Sequence, residues 1–181
     1  NDHFSRLSAR SVYFRFFRFK KWLTESELAQ FTDLDFVREA ALVAAIREQG
    51  KERILGVARY AALDESEGPR VAEVAVAVAD AFQGKGAGTL LLEHLAAIAR
   101  ANGIAEFRAD VLEENGKMIE VFSCIGFRME RRPESGTIHF SFPTEVTEEF
   151  AAAQLRRERL ARGRVHHAQR LQDVLFGVGI P

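Results

Sequence analysis

The pattern of hydrophobic and polar positions predicts helices and strands in the order ααβββαβαββ. Two short helices lie within residues 8 to 31, and the second opens with Thr24 and Glu27 as a capping box. The later elements are strands at 41 to 48, 53 to 63 and 71 to 79, a helix from Thr89 to Asn102, a strand at 106 to 112, a helix over GKMIEVFSCI, and the closing strands FRMER and TIHFSF. This mixture predicts an α+β domain.

The first helical segment combines aromatic and basic side chains. Its aromatic residues are the simplest core candidates: Phe14, Phe16, Phe17 and Phe19. Basic residues stand among them: Arg15, Arg18, Lys20 and Lys21. We interpret the basic positions as a solvated helix face, and contact with phosphate or nucleic acid is the alternative.

The composition changes from Glu145 onward, where Ala, Leu, Glu and Arg dominate. Such a segment favours helix but has little apolar surface to pack. We therefore divide the chain into a domain at residues 4–143 and a helical C-terminal extension or linker at residues 144–181. His166 and His167 would point about 100° apart on a helix, which suits a solvated tail better than a metal pair. No metal is expected.

Size and composition restrict the class of protein. The chain has 181 residues, 47% hydrophobic residues and a formal net charge of -1, so it fits one soluble domain without the basic excess of nucleic-acid-binding proteins. Cys124 is the single cysteine, and no apolar run is long enough to cross a bilayer. We expect a cytoplasmic protein. Because Asn1 is not a start methionine and no signal peptide follows, we expect an excised part of a longer chain.

Small residues fill the connection between the third strand and the long helix, in the sequence QGKGAGT at residues 83 to 89. Glycine accepts positive φ and has no Cβ, so this backbone can approach a ligand closely. The first amide groups of the following helix suit an anion. The segment therefore predicts an anion site, and a plain strand-to-helix turn is the alternative.

Two common phosphate-binding loops do not fit this segment. A Walker A loop needs Ser or Thr after its lysine, whereas Lys85 is followed by Gly86. A dinucleotide fingerprint needs a third glycine where this chain has Thr89. The pattern that fits is Q-x-x-G-x-G, with Gln83, Gly86 and Gly88 in register.

A second motif opens at Asn115 and ends in IGF at residues 125 to 127, similar to N-x-x-A-x-x-L-Y-x-x-x-G-F. With both motifs and this element order, the chain resembles the GNAT acetyltransferase superfamily from about Phe4 to Phe142. The resemblance implies the GNAT fold, in which a mixed, mostly antiparallel central sheet has helices on both faces.

The resemblance also implies acetyl-CoA, or a related acyl-CoA, as the acyl donor. Its pyrophosphate would lie on the backbone amides of the glycine segment, with Lys85 as an extra cation. Its pantetheine would pair with the strand at Val76 and Val78 as an added strand would. The implied donor-binding residues are Val76, Val78, Gln83, Gly84, Lys85, Gly86, Ala87, Gly88, Thr89 and Asn115.

Glu73 is the candidate general base. It interrupts the apolar strand VAEVAVAVA, where a carboxylate costs free energy unless it has a task or a partner. In GNAT enzymes a glutamate on this strand often takes the proton of the acceptor amine, and the resemblance implies that role here. The alternative is that Glu73 forms an ion pair with Arg59 or Arg108. A bulge in this strand would also change the face of the sheet on which the Glu73 side chain lies. Glu113 is the next candidate base.

The chain departs from the GNAT pattern where a tyrosine commonly protonates the departing CoA thiolate. That position holds Phe122, which has no proton to give, so water, Ser123 or Cys124 would supply it. Cys124 could also act as a covalent nucleophile, but no histidine lies near it in sequence, and we expect a buried packing residue.

Four segments, SVYFRFF, FTDLDFVREAALVA, GVARY and ADVLEENGKM, look like the acetyltransferase domain of bacterial protein lysine acetyltransferases. In that group the domain is fused to a nucleotide-forming acyl-CoA synthetase-like region. The resemblance implies a protein substrate, an AMP-forming acyl-CoA synthetase that acetylation of an active-site lysine inactivates.

The acceptor site would then lie between residues 8 to 36 and the strand edges around Glu73. Asp33, Asp35 and Glu39 could attract a basic target loop, and ordinary surface carboxylates are the alternative. Two other functions stay open. The chain could acetylate a small-molecule amine, or it could be a non-catalytic acyl-CoA sensor that signals through its tail.

Overall fold

The structure is a computed structural model that describes residues 2–48, 50–63, 70–165 and 174–178. The helices are α1 (Asp2–Ser5), α2 (Ala9–Phe16), α3 (Glu25–Thr32), α4 (Ala87–Ala101), α5 (Gly116–Cys124) and α6 (Glu148–Val165). The strands are β1 (Glu39–Glu48), β2 (Lys51–Ala62), β3 (Arg70–Val78), β4 (Ile104–Leu112), β5 (Glu130–Glu134), β6 (Thr137–Pro143) and β7 (Val174–Val178). The predicted order is confirmed from α2 to β6, and α1, α6 and β7 flank it. His166 and His167 lie outside the described residues.

The strands form one sheet in the order β5-β6-β4-β3-β2-β1-β7. Neighbouring strands are antiparallel except β3 and β4, which are parallel. Helix α4 joins this parallel pair and packs across β1, β2, β3 and β4. Its apolar stripe of Leu91, Leu92 and Leu95 is fully buried, as the helical spacing predicts. The mixed α+β class is confirmed.

Strands β3 and β4 separate halfway along their length. Their pairing ends at Glu73 and Arg108, whereas β2 continues to pair with β3 as far as Val78. The second half of β3 therefore has a sheet neighbour on one side and an opening on the other. The register irregularity of this pair falls between Arg70 and Val71, before Glu73. The regular alternation of a strand therefore puts Glu73 on the same face of the sheet as Ala75 and Ala77.

The C-terminal segment packs on the domain, in contrast to the sequence expectation. Phe150 of α6 is buried and stacks on Phe127 with ring centroids 4.3 Å apart. Gly126 adopts φ +93°, and a Cβ built there would lie 2.7 Å from the Cβ of Ala153. These contacts depend on a few residues within a polar helix, so composition alone concealed them.

The extension is also not helical throughout. Residues Val174–Val178 form β7, which pairs antiparallel with β1 from Leu42 to Ile46. The sequence VLFGV is rich in β-branched and aromatic residues and covers the free edge of β1, which explains the strand. The division of the chain at residues 143 and 144 stays a prediction.

Candidate active site

One cleft of about 930 Å³ brings the two principal sequence candidates together. It opens where β3 and β4 separate, and Glu73 and the glycine segment both line it. Side chains of α2 and α5 complete the wall, among them Phe14, Arg15, Phe16, Asn115, Lys117 and Cys124. The arrangement places a carboxylate, an anion-binding backbone and an open strand edge on one surface.

Glu73 lies at the last paired position of β3 and β4, and its side chain is exposed to the cleft. The two arginines considered as its alternative partners pair with other residues. Arg59 donates to Glu39 over 2.9 Å, and Arg108 Nε donates to Glu106 over 2.9 Å. Neither of these two ion pairs includes Glu73.

Arg15 of α2 lines the cleft together with Glu73, and the two charges interact. Burial and, to a smaller extent, the nearby charge of Arg59 lower the pKa of Arg15 to about 10, although the negative charge of Glu73 acts in the opposite direction. The guanidinium still carries its charge at neutral pH. The interpretation of a solvated helix face is wrong for Arg15, because α2 lies against β3 and turns this side chain into the cleft.

Unlike Arg15, the basic residues that follow α2, Arg18, Lys20 and Lys21, are not among the residues that line the cleft. Lys20 is also largely buried and forms an ion pair with Glu27, whose other partner is Arg18 at 3.1 Å. The hydrogen bond from Lys20 makes the largest contribution to lowering the pKa of Glu27 to about 2. Lys21 is exposed, as expected. One carboxylate thus holds two of the basic side chains in place.

The glycine segment has the backbone geometry that its sequence predicts. Gly84 and Gly86 adopt φ +70° and +87°, and a Cβ built at either would meet no atom within 4 Å. Helix α4 begins at Ala87 with Gly86 as its N-cap, and no side chain of the described residues caps it. The first amides of α4 thus remain available at the cleft.

The side chain of Gln83 links three walls of the cleft. Its Nε2 donates to the hydroxyl of Ser11 over 3.1 Å and to the carbonyl of Val78 over 2.9 Å. Its Oε1 accepts a hydrogen bond of 3.0 Å from Lys117 Nζ. The sequence motif indicates a role for the backbone of Gln83 and does not identify Ser11 or Lys117 as residues of the site.

Of the remaining donor-site candidates, Lys85 is not among the residues that line the cleft, whereas the others are. Lys85 Nζ donates to the carbonyl of Ala81 over 2.8 Å and lies 5.2 Å from the ring centroid of Phe82. The side chain of Asn115 accepts from the amide of Met118 and caps α5. The other candidates, Val76, Val78, Ala87, Gly88 and Thr89, line the cleft.

The position of the missing tyrosine is part of the core. Phe122 is buried and stacks on Phe140 with centroids 4.9 Å apart. Ser123 donates to the carbonyl of Ile119 and accepts from Arg131, so its hydroxyl is engaged. Cys124 is exposed and lines the cleft, which corrects the expectation of a buried packing residue. It stands at the last position of α5, where a side chain can leave the helix's buried face.

Two of the acidic acceptor candidates have structural partners. Asp35 accepts hydrogen bonds from the amides of Glu39, Val37 and Arg38, and these contacts lower its pKa against the effect of burial. Glu39 pairs with Arg59. The reserve base Glu113 is not among the residues that line the cleft.

Over the part of the chain that the structure describes, no group of His, Cys, Asp and Glu could hold a metal ion. Within the same residues, no helix is long and apolar enough to span a membrane.

The sheet, the cleft at its parallel pair and the glycine-rich start of α4 agree with the acetyltransferase (GNAT) family, whose model matches residues 8–127. The chain belongs to this family and is an N-acetyltransferase enzyme. It is 35% identical over 133 residues to acetyltransferase PA5475 of Pseudomonas aeruginosa. The aligned segment covers 74% of this chain and 70% of that protein.

Solved structures are similar as well. The GNAT domain of PAT from S. lividans is 37% identical and superposes with a TM-score of 0.69 over 78% of this chain and 81% of that chain. The putative acetyltransferase yncA of Salmonella typhimurium, solved with acetyl-CoA, is 20% identical with a TM-score of 0.61, over 81% of this chain and 90% of that chain. At that identity the second likeness shows the fold alone. The roles of individual site residues stay predictions.

Proposed function

We propose that this protein transfers the acetyl group of acetyl-CoA to the ε-amino group of a lysine in a folded protein, in the first place an AMP-forming acyl-CoA synthetase. The observation that carries the proposal is the shared cleft. An exposed carboxylate at Glu73 and a glycine-rich helix start at Gly86 line the same opening in the sheet. An acyl-CoA with its pyrophosphate at the helix start near Gly86 and its thioester near Glu73 would fit this arrangement.

The residues present suit the donor. The open space around Gly86 leaves room for a pyrophosphate against the first amides of α4. Gly88 lies within ordinary contact of Val76, Val78 and Val121, at 3.6 to 3.8 Å from an added Cβ, so any larger side chain would narrow the cleft. The unpaired edge of β3 beyond Glu73 can hydrogen-bond a pantetheine arm. Bound acetyl-CoA supplies an activated thioester.

The chain must then make the acceptor amine nucleophilic. A lysine with its ordinary pKa is neutral in about one molecule in 2,500 at pH 7, which corresponds to about 4.6 kcal/mol. We assign to Glu73, which lines the cleft, the role of taking this proton, directly or through a water molecule. The positive charge of Arg15 disfavours a second cation beside it, and so favours the neutral amine.

Transfer leaves a CoA thiolate, which Phe122 cannot protonate. A thiol with a pKa near 8.5 is a tolerable leaving group, so water can return the proton. Cys124 lines the cleft and is the side chain that we propose as a second proton source.

The surface beside the cleft favours a protein as acceptor. Phe17, Phe19 and Trp22, in the connection from α2 to α3, are 41%, 78% and 69% exposed. Phe17 also lines the cleft, so this apolar surface continues from the entrance. Exposed aromatic side chains are typical of protein contact sites, whereas a small amine would not use them.

A panel of acceptors tests the proposal. We expect an intact AMP-forming acyl-CoA synthetase to be acetylated far faster than free lysine, a polyamine or an unfolded peptide with the target sequence, because remote contacts position the amine. Mass spectrometry should find the label on one active-site lysine, and synthetase activity should fall in step. Such a substrate would place the enzyme in the cytoplasm. Equal rates on free amines would instead indicate a small-molecule enzyme, and binding without transfer would indicate a sensor.

A further inference from the structure

Helix α2 supplies Phe14, Arg15 and Phe16 to the cleft and is therefore part of the proposed acceptor side. It has eight residues, of which Val12 is buried. A helix this short is marginal in water, so the contacts at its ends decide how firmly it is held.

The carboxylate of Asp80 binds the first turn of this helix. Asp80 opens a 3-10 turn, Asp80–Phe82, between β3 and the glycine segment. Its Oδ2 accepts from the amide of Ser8 at 2.9 Å, and its Oδ1 accepts from the hydroxyls of Ser8 and Ser11 at 2.8 and 3.0 Å. Burial raises the pKa of Asp80, but these hydrogen bonds outweigh it, so the pKa lies below its ordinary value.

Gln83 extends the connection to the rest of the cleft. The hydroxyl of Ser11 donates to Asp80 and accepts from Gln83. The first residue of the 3-10 turn, Asp80, and the residue that caps its end, Gln83, thus bind the same oxygen atom of α2. Gln83 also holds Val78 at the end of β3 and Lys117 on α5. A continuous hydrogen-bonded path therefore joins α2 to the backbone that leads into Gly84 and Gly86.

We propose that Asp80 and Gln83 are positioning residues that form a latch, through which donor binding at the glycine segment orders α2. The proposal rests on the proposed function, since it takes this segment as the donor site. A ligand that immobilises residues 83 to 89 also restricts the 3-10 turn before them, and the latch passes that restriction to Ser8 and Ser11. The acceptor then meets a wall whose side chains, including Arg15, are already placed.

Hydrogen exchange with and without coenzyme A tests the latch on the whole chain. In the wild type, coenzyme A should slow amide exchange both in the first turn of α4 and in α2. Asp80→Asn and, separately, Ser11→Ala should keep the protection of α4 and lose most of that in α2. The control is Glu145→Gln, which removes an exposed carboxylate and should behave as the wild type.

Steady-state kinetics distinguish a positioning role of Asp80 from a role in stability alone. Asp80→Asn should raise the KM for the protein acceptor about tenfold, the size expected for lost hydrogen bonds to a charged group, with kcat and donor affinity within about twofold. If coenzyme A protects α4 but not α2 in the wild type, or protects α2 in both variants as strongly as in the wild type, the latch is overturned and the donor site stands. If coenzyme A protects neither helix of the wild type, the proposed function fails and the latch fails with it.

Discussion

Arg157 of α6 forms an ion pair with Glu93 of α4, whose side chain is only 4% exposed. The same guanidinium donates to the carbonyls of Cys124 over 2.7 Å and Ile125 over 3.0 Å, at the C-terminal end of α5. One side chain thus neutralises a buried charge and joins the C-terminal helix to two helices that border the cleft. The C-terminal helix α6 therefore contributes to the stability of the domain.

Replacement of Arg157 should be strongly destabilising. Arg157→Ala leaves the Glu93 carboxylate buried without its counter-charge, and removal of one partner of a buried pair typically costs about 3 to 5 kcal/mol. Chemical unfolding should show this loss as a shift in the denaturation midpoint. Arg156→Ala is the matched control, because Arg156 is the preceding arginine of α6 and is exposed. Equal, small losses in both variants would contradict the role of the ion pair.

The effect of this substitution should depend on pH. Burial raises the pKa of Glu93, and Arg157 opposes the increase. A carboxyl whose folded pKa is raised contributes stability that is complete below its ordinary pKa and is lost as the pH rises through the raised value. Without Arg157 the raised value moves higher still, so Arg157→Ala should lose more stability at about pH 8 than at about pH 5. Thermal unfolding across this range measures the difference, and a loss that does not change with pH would contradict it.

A side chain at position 86 should weaken donor binding in addition to the stability that it costs at positive φ. Gly86→Ala places a side chain at φ +87°, which costs about 1 to 2 kcal/mol of stability, and directs it into the open space proposed for the pyrophosphate. Gly103→Ala is the control at the other end of α4, with φ +77° and equally open surroundings. Both variants should lose similar stability, but calorimetric titration should show weaker acetyl-CoA binding only for Gly86→Ala. A similar affinity in the two variants would remove the anion site from this segment.

Cys124 should not act as a covalent nucleophile. It lines the cleft, but water can replace it as a proton source, so Cys124→Ala should keep turnover within about threefold of the wild type. Intact-protein mass spectrometry during turnover should find no acetylated enzyme. An acetyl adduct that disappears in Cys124→Ala, together with lost activity, would establish a two-step mechanism instead.

The sequence allowed the prediction of features that depend on local pattern. The spacing of apolar residues predicted the long helix α4, and the glycines predicted the positive φ of Gly84 and Gly86. The carboxylate of Glu73 stood out because its strand is otherwise apolar, and the structure places it in the same cleft.

Features that join distant parts of the chain could not be read from a pattern. Asp80 meets Ser8 across 72 positions, and no spacing rule relates two such polar residues. Arg15 belongs to a run of alternating aromatic and basic residues, a pattern that favours a solvated position for a basic side chain, whereas the packing of α2 on β3 decides its burial. The pairing of Glu93 with Arg157 was hidden in the same way, since each is an ordinary charged residue on its own helix.

The role of Glu73 tests the account most directly, through the rate of lysine acetylation on an intact AMP-forming acyl-CoA synthetase at saturating acetyl-CoA. Glu73→Gln keeps the size of the side chain but cannot accept the proton, so turnover should fall by about 10²- to 10⁴-fold while calorimetry shows little change in donor affinity. Glu113→Gln, outside the cleft lining, should retain wild-type turnover. A Glu73→Gln enzyme within about twofold of the wild-type rate would contradict the assignment of Glu73 as the general base.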